Sequence, residues 1–265
     1  MNYNNVLIVN PLTDKFSDSN GFPGVTYYAY SYRQAVIDKA HELGYNVMIL
    51  TDVTRESFET ALQEHDPFMV LIMGHGKQNL VTGNFYPDVK MYEIILRSGE
   101  NEAQLADRVS YLFSCSAGAT LGPAIMSAGG KEFIGYNKDF IFAVQNPFDP
   151  MTDAYAKPFF NSSNAIEFAL LEGKSAGEAY QVGLSAFDSE ISKWSKSDDV
   201  MAKTVVGDLI HNRNSLVYGA RDGMTMQVEE SQSPMTGLVM LSIGVLLFAL
   251  SSKNKALIPL ALLPP

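Results

Sequence analysis

Between residues 6 and 136 the sequence keeps changing its hydrophobic period, and this alternation constrains the fold more than any other feature. Five short runs, Val6–Val9, Asn46–Leu50, Phe68–Met73, Val109–Phe113 and Phe133–Tyr136, are apolar with little interruption. Each is too short for a globular helix and lacks a polar face, as expected of strands covered on both sides. Between them, Tyr27–Leu43, Arg55–Glu64, Glu102–Arg108 and Ala119–Ala128 have helical spacing. Gly44 follows the first helix and Gly129 the last, where a left-handed cap residue is wanted. Strand and helix in alternation demand right-handed crossovers and a mainly parallel sheet. The expectation is an α/β domain, a three-layer sandwich around a sheet of about six strands. After residue 150 helical patterns dominate (Thr152–Leu171, Ser175–Lys196, Asp198–His211) before a last strand, Ser215–Tyr218.

Residues 1–226 form this domain, and 227–234 read as an acidic linker. Residues 235–252 are 18 in number, carry no charge and are rich in Leu, Val, Ile and Met. A spanning helix needs roughly 17–25 residues, and no face of this one could turn to water, so a transmembrane helix is expected. Residues 253–265 make a short apolar tail, too rich in proline to span as a helix. Lys253 and Lys255 after the span favour a cytoplasmic C-terminus, whereas the N-terminal residues, with no basic region and no signal core, favour a cytoplasmic folded domain. The second argument outweighs two lysines, giving a single-pass tail with the catalytic domain in the cytoplasm.

Composition removes several functions. A net charge of −10 leaves no basic surface for phosphates, so no nucleic-acid partner is expected. Four histidines without ligand spacing and one cysteine complete no metal site, and no cofactor is expected. That cysteine, Cys115, has no partner for an internal disulfide.

Chemistry is expected at two strand ends. His75 follows Phe68–Met73 within Gly74-His75-Gly76, and Cys115 follows Val109–Phe113 within Ser114-Cys115-Ser116-Ala117-Gly118. The carboxyl ends of parallel strands are where ligands bind. An imidazole beside a thiol stabilises the attacking thiolate and can protonate a leaving amine. The Gly76 N–H is placed to donate to an oxyanion. The small residues after Cys115 put it at the start of a helix, whose dipole would favour thiolate.

The order strand, His-Gly, spacer, strand, Cys resembles the cysteine peptidases that include caspases, gingipains, separases, legumains and CHAT-domain peptidases. Residues 116–136 (SAGATLGPAIMSAGGKEFIGY) are similar to the small-residue helix and following strand of CHAT and gingipain-like domains. Residues 158–181 resemble their later helices, and Leu216–Gly219 their closing strand, so the likeness covers roughly residues 4 to 222. It implies a caspase-like sandwich, a His75–Cys115 dyad and cofactor-free endopeptidase activity on protein or peptide substrates. Relatives that prefer basic residues carry an acid two positions before the cysteine, where this chain has Phe113. Asp14 and Asp18, after the first strand, and Asp139 are the acids that could line the primary pocket instead. Two other functions compete. A serine hydrolase would use Ser116 of Ser114-x-Ser116-x-Gly118 with the later His211, although the first elbow glycine is missing. A catalytically silent caspase-like binding module would need neither His75 nor Cys115.

Overall fold

The computed structural model describes residues 2–12, 24–221 and 258–260. Its centre is a six-stranded, mostly parallel sheet built from β1 (Asn2–Val9), β2 (Asn46–Leu50), β3 (Pro67–Met73), β7 (Val109–Phe113), β8 (Glu132–Tyr136) and β10 (Leu216–Ala220). The order is β10-β8-β7-β3-β1-β2, and β10 alone runs antiparallel to its neighbour. All six expected strands are present in the expected α/β arrangement.

Alternation along each strand divides the core in two. Val6, Ile8, Met69, Leu71, Tyr111 and Phe113 face one layer, made by α1 (Val25–Glu42), α4 (Lys157–Leu171), α5 (Ala176–Trp194) and α6 (Ala202–Ser215). Leu7, Val9, Val70, Ile72 and Leu112 face the other, with α2 (Arg55–Glu64) and α3 (Leu121–Ser127). Local chemistry fixes the helix starts. Thr54 and Ser57 form a reciprocal capping box at α2, and Ser175 and Glu178 form another at α5. Arg33 of α1 crosses a fully buried position to give Nη2 to Glu167 of α4 at 2.5 Å and Nη1 to Asn10 at 2.8 Å. This ties both helices to the carboxyl end of β1.

Several boundaries differ from the sequence reading. Glu102–Arg108 is only a 3-10 turn over Glu102–Leu105. A helix from Thr152 is interrupted because the buried Asp153 carboxylate accepts the N–H groups of Gln145, Asn146, Tyr155 and Ala156, so Pro150–Thr152 is a separate turn. A small antiparallel sheet, β4 (Gly76–Lys77), β5 (Leu80–Tyr86) and β6 (Met91–Arg97), directly follows His75. β9 (Phe142–Val144) pairs with β11 (Ile258–Leu260), a strand within the expected apolar tail. The expected linker and the span 235–252 lie outside the described residues. Among the described residues no helix is long and apolar enough to cross a membrane.

Candidate active site at the ends of two neighbouring strands

β3 and β7 pair in parallel, with Met73 opposite Phe113 in the last register position. His75 and Cys115 each stand two residues beyond that pair. Neighbouring strands lie about 4.8 Å apart, so the two residues leave the same sheet end from adjacent positions. Both line one open cavity of about 690 Å³, together with Ser116, Asp139, Tyr92 and the β4–β5 hairpin. Both also line a second, smaller pocket on the α1 side.

Close backbone approach is what the two glycines around His75 provide. A Cβ on Gly74 would stand 2.2 Å from the Thr82 carbonyl oxygen, and one on Gly76 2.1 Å from Ser114 Oγ. The chain therefore passes between β5 and the cysteine loop with no room for a side chain. Thr82 donates its N–H to the His75 carbonyl at 2.9 Å. That bond makes His75 and Thr82 a hydrogen-bonded pair, so the next pair, Gly76 opposite Val81, is a non-bonded one. The Gly76 N–H consequently points away from β5. Tyr92 of β6 lays its ring against His75, 4.6 Å between centroids and inclined by 60°. Nothing in the sequence pattern marked Tyr92, because it reaches His75 through a hairpin whose strands were not recognised.

The cysteine loop departs from expectation. α3 begins at Leu121, after the turn Ser116–Thr120, so Cys115 is not at a helix start and receives no dipole assistance from it. Cys115 is only 4 % exposed. Burial, then the charge of Asp139, push its thiol up to about 12, against a smaller opposing effect of a backbone hydrogen bond from Phe140. At neutral pH the resting thiol is protonated. The thiolate that the sequence reading favoured is opposed here by desolvation in an apolar setting.

Ser116 has a left-handed backbone (φ 55°) and gives its hydroxyl to Asp139 at 2.7 Å. His211 bonds the Asp139 carbonyl oxygen through Nε2 at 2.8 Å. The serine hydroxyl thus bonds a carboxylate and not an imidazole, an arrangement unlike a serine–histidine couple. Asp139 sits in the large cavity beside Cys115, and does not line the smaller pocket. Asp14 and Asp18 lie outside the described residues. Among the described residues, no three His, Cys, Asp or Glu side chains are grouped to hold a metal ion.

Compared with known proteins, the chain matches no family model and no curated protein.

Proposed function

We propose that this chain is a caspase-like cysteine endopeptidase that hydrolyses protein or peptide substrates through His75 and Cys115. The observation that carries the proposal is the placement of both residues two positions beyond one register pair of parallel strands, facing one cavity. A cavity of about 690 Å³ is of a size to hold an extended peptide segment.

Since the resting thiol is neutral, acylation begins as a coupled step. His75 accepts the thiol proton as Cys115 Sγ attacks the scissile carbonyl carbon, and the Gly76 N–H faces the oxygen that becomes negative. The carbon–nitrogen bond then breaks, and the departing amine takes the proton from His75. Water, giving a proton to His75, attacks the resulting thioester. The carbon–sulfur bond breaks and the proton returns to sulfur, leaving a carboxylic acid product. No cofactor takes part.

The same burial that raises the thiol supports a second reading, a binding module that retains the residues without using them. Incubating the full chain and its Cys115→Ala variant with a peptide library separates the two. Cleavage by the wild type alone is expected; no cleavage by either favours the binding module. We further propose that residues 235–252 tether the enzyme to a membrane, as their uncharged sequence supports. Full-length protein should then resist carbonate extraction, and recovery in the soluble fraction would contradict tethering.

A further inference from the structure

We infer that the small pocket beneath His75 and Cys115 receives the side chain on the acyl side of the scissile bond, and that it is built for a short, uncharged, hydroxyl-bearing residue. The inference rests on the peptidase reading above and adds the substrate class to it.

The pocket holds about 30 Å³ and lies between α1 and the aromatic cluster of the sheet. So small a space suits a short side chain rather than a long or aromatic one. Its apolar walls include Val25, Ala29, Met73, Phe113 and Phe142. Phe113, at the place where an acid would select basic residues, is held edge-on by Phe140 and Phe160 at 4.7 and 5.9 Å. Enlarging the pocket would therefore mean moving packed rings.

Among the described residues lining the pocket there is no Asp, Glu, Lys or Arg. A lysine or arginine side chain would enter without a counter-ion. Among the described residues an aspartate would face only the His75 imidazole, which the proposed reaction commits to the thiol proton, and the start of α1, whose partial charge does not offset the desolvation of a carboxylate.

Thr26 and Ser114 interrupt the apolar lining. Both hydroxyls are buried and neither has a hydrogen-bond partner among the described residues; Ser114 Oγ packs against Gly76, outside this pocket, which leaves Thr26 Oγ1 for a bound side chain. Buried polar atoms are almost always satisfied, so the orphan hydroxyl of Thr26 in this lining marks a place where a ligand atom completes the bonding. A threonine or serine side chain fits the volume and supplies such an atom.

The test uses the full chain and peptidyl acyloxymethyl ketones that differ only in the residue before the ketone. Cys115 Sγ displaces the carboxylate from such a probe to form a stable thioether, so labelling reads the dyad and the pocket together without turnover. Thr and Ser probes should label at least tenfold faster than Arg, Lys, Asp or Phe probes. Thr should also exceed its isostere Val, and Thr26→Val should reduce that Thr-over-Val ratio at least threefold. Phe113→Leu should shift labelling towards Leu and Met probes. Fastest labelling by a charged or large residue, or a Thr-over-Val ratio unchanged in Thr26→Val, overturns the pocket assignment while leaving the peptidase intact. Failure of every probe on the folded protein, with Cys115 labelled only after unfolding, overturns the peptidase reading and the pocket assignment with it.

Discussion

Tyr92 packs its ring against the imidazole of His75 at 4.6 Å between centroids, so a residue of the accessory hairpin holds the general base proposed for the central sheet. Phe85 of β5 backs Tyr92 in turn, at 4.8 Å. Removing the ring should loosen His75 without emptying the substrate groove. Tyr92→Leu is expected to lower kcat about tenfold with little change in KM, a loss typical of one displaced catalytic group. Tyr92→Phe, which keeps the ring, should retain most of the activity. Steady-state kinetics of the two variants decide the matter, since a purely structural role would lower stability without separating kcat from KM.

The protonated state of Cys115 has a direct signature. With its thiol pushed up to about 12, the thiolate fraction rises about tenfold per pH unit through the ordinary cysteine range. Alkylation of folded protein by iodoacetamide should therefore accelerate steadily from pH 7 to pH 10, with no plateau near 8.5. Asp139→Asn removes the second contributor to the shift and should raise the rate at pH 8 severalfold. A plateau below pH 8 would show a preformed thiolate.

Six strands and most helices were legible because continuous apolar runs and 3.6-residue spacing are strong, local signals. The accessory sheet was not. Leu80–Tyr86 mixes Gly83 and Asn84 into its middle, and Met91–Arg97 carries Glu93 among its apolar residues, so neither run looks buried. Their pairing is a property of the hairpin rather than of either segment. His75 and Cys115 could be singled out because each directly follows a readable strand. Tyr92 and Thr26 could not, since their importance comes from neighbours distant in sequence. The thiol's state also escaped, because its burial and the charge of Asp139 are tertiary effects.

The buried Arg33–Glu167 pair is a structural dependency of the same sheet end. Burial raises the Glu167 carboxyl above its usual range, and Arg33 opposes that rise. Arg33→Ala strands the carboxylate, and denaturant unfolding should report a loss of about 3–5 kcal/mol. With the folded-state value raised further in this variant, the folded form holds its proton to higher pH than the unfolded chain does. The deficit should therefore shrink as pH falls through the folded value towards the unfolded one. The double variant Arg33→Met, Glu167→Met should recover most of the loss at neutral pH.

Activity of Cys115→Ala, His75→Ala, their double variant and Ser116→Ala towards a cleaved peptide tests the proposed dyad most directly. Each of the first two should lose at least about 1000-fold in kcat, and the double variant should lose no more than either alone, because the residues act as one unit. Ser116→Ala should stay within about threefold of wild type. Retained hydrolysis in folded Cys115→Ala, or its loss in Ser116→Ala alone, would contradict the account.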